Sequence, residues 1–168
     1  RVAFRLPKAR VLRAAALARV RAGDLPRAEQ LARELPSAEE RAPVHARLAV
    51  AWAKRADADR VQGQARDALA GARDVPGIVA RLNVLLACAE TLQEADSPEP
   101  GKPFLDEAAR MVDGLEDPGE RMLGLCGLAG VRLRRLPPPG QPAPRSLLQE
   151  IYEDLRRAVY GEVGVEHF

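Results

Sequence analysis

The side chains in this chain that most readily do chemistry are few: Cys88 and Cys126, His45 and His167, three serines, and carboxylate pairs such as Glu39/Glu40 and Asp106/Glu107. A zinc site needs cysteines and histidines at short paired spacings, and neither cysteine belongs to a Cys-x-x-Cys pair. Both lie inside apolar runs, where a free thiol serves as a small hydrophobe. Ser37, Ser97 and Ser146 fall at turns or helix starts, which argues against a serine nucleophile held beside a histidine. The carboxylate pairs fall at predicted helix starts, where negative charge complements the helix dipole and no acid–base partner is identifiable. Neither a GxGxxG nor a GxxxxGK[ST] phosphate loop occurs. The expectation is a chain with no catalytic residues, no metal and no cofactor.

Binding is the remaining chemistry. Trp52 is the only tryptophan. In an Ala-rich sequence a lone Trp serves packing, and the alternative is a groove anchor, because Trp and Arg are enriched where partners bind. Arg19, Arg47 and Arg81 lie off the main apolar stripe and are candidates, with Trp52, to line a partner-binding surface; the alternative for them is a solvated face with ion pairs. Gly124, Gly127 and Gly130 recur every third residue within one predicted helix, each at a cost of about 1 kcal/mol against Ala. Close approach of a neighbouring helix would compensate, as would a ligand lying on the bare backbone.

The elements that must position these residues are all helical. The chain has 168 residues, of which 46% are hydrophobic but only 4% aromatic, and most of the apolar positions are Ala and Leu. Ala, Leu, Arg and Glu lose little freedom in helices, whereas strands favour β-branched and aromatic residues. "ARELP" (32–36) is echoed by "ARDVP" (72–76), by "AFRLP" (3–7) and more loosely by "GLEDP" (114–118). An Arg follows each: Arg10, Arg41, Arg81 and Arg121. Further on comes a Leu-Ala pair, at 17–18, 48–49, 86–87 and 128–129. Proline cannot continue a helix but fits the first turn of the next. Ser37 with Glu40 is a capping-box pattern, and Asp117-Pro118 and Ser146 with Gln149 mark two later starts.

The pattern predicts helices at 8–22, 25–35, 38–55, 58–73, 77–95, 103–115, 119–135 and 146–160. Short joints make neighbours antiparallel. The turns within pairs lengthen along the chain, and the last two, "EADSPEPGKP" and "LPPPGQPAP", hold eight of the fourteen prolines. In the last helix Leu147, Leu148, Ile151, Tyr152, Leu155 and Val159 form one apolar face, which suits a helix covering the end of a core. "AFRLP" reads as the end of a helix whose beginning is missing, and the first residue is not Met. The chain is thus expected to be a fragment of a longer array.

The net charge is +2, but residues 1–60 carry 14 Lys/Arg against 7 Asp/Glu, whereas 61–119 carry 5 against 11. A basic half of this kind allows nucleic-acid binding, although Phe4 and Trp52 are its only aromatics for stacking. Three of the 26 basic residues are Lys and the rest Arg. That excess points to a bacterial, high-GC genome and discounts the basic count. The longest apolar run, "MLGLCGLAGV" (122–131), is too short to span a bilayer. A cytoplasmic protein is expected.

The segment "AGDLPRAEQLA" (22–32) resembles the middle of a tetratricopeptide repeat, in which a turn glycine, here Gly23, is followed five residues later by a small residue, here Ala28. Ala56-Asp57 replaces Gly-Asp in the second unit, the family's aromatic positions hold Ala or Leu, and the period runs from 31 to 42 residues. The resemblance implies an α-α superhelix of antiparallel hairpins (a solenoid) with a concave groove that holds a peptide or a partner helix, and no catalytic residues. The domain reading is a single repeat domain over 1–168, with units near 8–36, 37–76, 77–118 and 119–160. The functional expectation is a protein-interaction scaffold, with nucleic-acid binding or a sensor array of a larger protein as alternatives.

Overall fold

The structure, a computed structural model, describes residues 5–95 and 99–160. Among these every regular element is helical: α1 (Arg5–Arg21), α2 (Leu25–Arg33), α3 (Ala38–Ala53), α4 (Ala58–Arg73), α5 (Ile78–Leu92), a single 3-10 turn (Glu99–Gly101), α6 (Lys102–Asp113), α7 (Pro118–Leu133) and α8 (Arg145–Tyr160). All eight predicted helices are present, with ends within a few residues of those expected. The exception is the start. Pro7 sits in the first turn of α1 rather than at a joint between two helices, and residues 1–4 of "AFRLP" lie outside the described residues.

The chain divides into two compact units, Arg1–Phe104 and Leu105–Phe168. In the first, α3 is the hub, packing on α1, α2, α4 and α5. Its core joins Ala16, Leu25, Ala28, Ala32, Leu35, Val44 and Leu48, with Leu12, Leu17, Val20 and Trp52 packed against them. Small residues let the α3 and α4 backbones come close. A Cβ added at Gly71 would lie 3.4 Å from the Cβ of Ala42. Fully buried Ala46, Ala68 and Ala72 belong to the same two helices. His45 and Gln64 join them by a buried side-chain hydrogen bond of 2.7 Å. In a core so short of bulk, buried area per residue is modest, and close backbone packing supplies the dispersion contacts that large side chains would otherwise give.

The local signals act as the sequence indicates. Ser37 Oγ accepts the Glu40 N–H at 3.3 Å, and Asp117 Oδ1 accepts the Glu120 N–H at 2.7 Å. Asp57 Oδ1 accepts the Arg60 N–H at 3.0 Å. Ser146 does not precede the last helix as expected, since α8 already begins at Arg145.

The turns of the first two helix pairs correspond in backbone as well as in sequence. Gly23 has φ +78° and is followed by the N-cap residue Asp24; Ala56 has φ +56° and is followed by the N-cap residue Asp57. Ala56 therefore adopts the left-handed conformation that glycine adopts at no steric cost, against about 1–2 kcal/mol for an L-residue. Glycine in turn loses roughly 0.5–1 kcal/mol more backbone entropy on folding. Ala56→Gly should thus raise stability by about 0.5 kcal/mol, read as an upward shift of the urea midpoint at unchanged slope. A lower midpoint would refute the strain at this turn.

In the second unit α7 packs against α8, with Leu125, Leu128, Leu147 and Ile151 buried. Arg132, its side chain 12% exposed, pairs with the buried Asp154 and lies 3.1 Å from Glu150. Burial holds the Asp154 carboxyl above its usual range, offset in part by the hydrogen bond and charge of Arg132. Two expectations hold only in part here. Of Gly124, Gly127 and Gly130, Gly124 is buried, but Gly130 faces open space, where an added Cβ would meet nothing within 4 Å, so no close helix accounts for it. The apolar face of α8 is also wider than what it covers. Leu147 and Ile151 are buried, but Leu148 (47% exposed), Tyr152 (65%), Leu155 (40%) and Val159 (71%) are not. Burying all of them needs a neighbour on each side of the helix.

Candidate functional site

The first unit carries a groove of about 860 Å³ built from α1, α3 and α5. Helical periodicity selects its lining. Arg13, Leu17 and Val20 lie at i, i+4 and i+7 on α1, and Pro43, Arg47 and Val50 at i, i+4 and i+7 on α3, with Lys54 at i+11 as its C-cap residue. Ala87, Thr91 and Glu94 repeat the i, i+4, i+7 spacing on α5 and just beyond its end. The floor is apolar, from Leu17, Val20, Val50 and Ala51. Arg13, Arg21, Arg47, Lys54 and Arg55 contribute five cations against the single carboxylate of Glu94.

Two of those cations are already engaged. Arg47 forms an ion pair with Glu94, and Arg55 donates to the carbonyl of Gly23. Arg13, Arg21 and Lys54 are exposed and make no ion pair with a described residue. The groove thus offers uncompensated positive charge above an apolar floor. Such a surface matches a segment with apolar and acidic faces.

No family model, characterised protein or solved structure matches this chain. Its own geometry carries the functional reading.

The four residues singled out from sequence do not converge. Arg47 lines the groove. Arg19 pairs with Asp24 at 3.3 Å beside the α1–α2 turn, both side chains about half exposed. Trp52 projects elsewhere: its Nε1–H donates to Glu29 Oε1 at 2.9 Å, and the guanidinium carbons of Arg55 and Arg60 lie 5.4 and 5.3 Å from its ring centre. Arg60 Nη1 also reaches Glu29 Oε2 at 3.1 Å, so the buried Glu29 carboxylate is paired and hydrogen-bonded as burial requires. This cluster ties α2, α3 and the start of α4 together.

Arg81 has a different task. Its Nε–H donates to the Val75 carbonyl at 3.1 Å, and Arg121 Nε–H donates likewise to the Leu115 carbonyl at 3.0 Å. Each Arg reaches back six residues to the end of the preceding helix, where carbonyls lack intrahelical partners. Arg81 and Arg121 therefore each secure the joint they follow, and the two acceptor residues keep their side chains in the core. Arg41 stands at the same offset from the buried Leu35.

Sequence reading passed over Arg13, Arg21 and Lys54. The signal that finds two of them is their spacing to apolar neighbours: Arg13 stands four residues before Leu17, and Lys54 four after Val50.

A second, mostly apolar cleft of about 550 Å³ lies against α4, where Val61, Ala65 and Leu69 face Pro100, Pro103 and Phe104. Its Asp57 carboxylate is engaged as the N-cap of α4. Among the described residues no group of three or more His, Cys, Asp or Glu could hold a metal ion, and no helix is long and apolar enough to cross a membrane.

Proposed function

We propose that this chain is a cytoplasmic protein-interaction scaffold that binds an acidic, amphipathic peptide or partner helix along α1, α3 and α5, without turning over a substrate. The observation that carries this reading is the groove, with its apolar floor and its excess of cations. In this reading the helix pairs stack antiparallel into a tetratricopeptide-like superhelix. Packing of α3 against both α1 and α5 supports that arrangement, as does the shared turn geometry of Gly23 and Ala56.

The test uses two fluorescein-labelled helical peptides of equal length and apolar content, one acidic and one basic, titrated by anisotropy. The acidic peptide should bind and the basic one should not. Arg13→Glu and Lys54→Glu, both at exposed positions, should each weaken binding about tenfold, equivalent to about 1.4 kcal/mol, with unchanged far-UV circular dichroism. Equal binding of both peptides, or indifference to both charge reversals, would overturn the groove reading. Displacement of the acidic peptide by a DNA or RNA duplex, with the steep salt dependence of phosphate contacts, would favour nucleic acid instead.

A further inference from the structure

The groove of the first unit is not charged alike on its two sides. α1 and α5 each pack on α3, which lies between them. Packed helices stand about 8–10 Å apart, so the two rims are up to about 20 Å apart, axis to axis. A helix of about 10–12 Å diameter can seat between their side chains. The α1 rim carries Arg13 and Arg21, both exposed and eight residues apart, a rise of about 12 Å along the helix. The α5 rim carries Ala87, Thr91 and Glu94, and no cation. Its end is negative for two reasons. The last turn of α5 has no basic residue beside Glu94, whereas that of α1 has Arg19 and Arg21. The last carbonyls of α5 add the negative pole of the helix dipole. Arg47, between the rims, does not reverse this, because Glu94 already holds it in an ion pair.

Resting on the groove reading above, we infer that Glu94 is a specificity-determining residue. The site takes an amphipathic partner helix whose acidic residues all lie on one flank of its apolar face. That flank meets Arg13 and Arg21, and an uncharged or basic flank lies against Glu94. A helix with carboxylates on both flanks brings like charges to Glu94 and leaves the α1 arginines with fewer partners. The groove then selects by where the ligand's charges lie as well as by their number. Turning a helix end for end exchanges its flanks, so the acidic flank also fixes the direction in which the ligand chain runs.

The test is anisotropy at low ionic strength, where exposed charges are little screened, with two fluorescein-labelled helical peptides of identical composition. Both have the same apolar face and equal numbers of glutamate and glutamine. In one the glutamates occupy a single flank; in the other they are divided between both. The segregated peptide should bind the full chain roughly tenfold more tightly, as one or two exposed ion pairs allow. Glu94→Gln, at an exposed position beyond the end of α5, should tighten the mixed peptide about fivefold and leave the segregated one nearly unchanged, closing most of the gap. Glu34→Gln, which removes an exposed carboxylate outside the groove, should alter neither. Equal affinity of the wild type for the two peptides would overturn the inference while the groove reading stands. A Glu94→Gln variant that keeps the full gap, or a Glu34→Gln effect as large as that of Glu94→Gln, would overturn it equally. Failure of both peptides to bind would sink the groove reading itself, and this inference with it.

Discussion

Trp52→Ala should destabilise the first unit by about 3 kcal/mol, at the lower end of the range for removing a large aromatic from a packed site. The residue is half-buried, so area alone accounts for only part of the loss. The remainder comes from the partners it leaves behind. Glu29 is buried, and its carboxylate holds both the indole N–H and Arg60. With the indole gone, one oxygen of a buried carboxylate loses a donor, and the two guanidinium groups lose the ring they lie over. Trp52→Phe separates the terms: it keeps most of the ring and should cost about 1.5 kcal/mol, the lower end for a hydrogen bond to a charged group. Urea unfolding followed by far-UV circular dichroism measures both, since either change removes the only tryptophan. A loss below 1 kcal/mol for the alanine variant would mean that this cluster does not hold α2, α3 and α4 together.

The second large effect concerns the cysteines, which the sequence places in similar apolar runs and the structure separates. Cys88 is fully buried, and burial pushes its thiol up from 9.0 to about 12. Cys126, expected to be buried, is exposed on α7 because the face of the helix that carries it points away from α8 and from the buried Leu125 and Leu128. The thiolate is the reactive form. A shift of this size lowers the thiolate fraction of Cys88 about a thousandfold at pH 8, before access is considered. A chromogenic disulfide reagent at pH 8 should therefore release one equivalent quickly from Cys126. The second equivalent should appear only on unfolding. Cys126→Ser should abolish the fast phase, and two fast equivalents from the native protein would contradict the burial of Cys88.

The helices themselves were legible because their signals are local. A proline after a run of Ala and Leu, or a Ser or Asp three residues before a free N–H, acts within one turn whatever the rest of the chain does. What the helix faces meet is not local. Arg47 and Arg81 look alike in sequence, yet one reaches across a groove to Glu94 and the other turns back to the Val75 carbonyl. Even the repeated Leu-Ala pair varies: Leu48-Ala49 and Leu128-Ala129 are buried, whereas Ala18 and Ala87 are exposed. Amphipathic width sets which residues of α8 would prefer burial but not how many find a neighbour. The division at Phe104 was not legible either, because the helical pattern runs on through α6 without a break.

The placement of the few aromatic and thiol groups makes the two units separately observable. The lone indole, Trp52, belongs to the first unit, and both phenols, Tyr152 and Tyr160, to the second. Cys88 and Cys126 are divided in the same way. Excitation at a wavelength that only indole absorbs follows residues 1–104 alone, while the tyrosine bands of the second-derivative absorbance spectrum follow residues 105–168. The wild-type chain thus carries its own two-colour labelling, and coincidence of the two melting curves reads out directly whether the units unfold as one cooperative block.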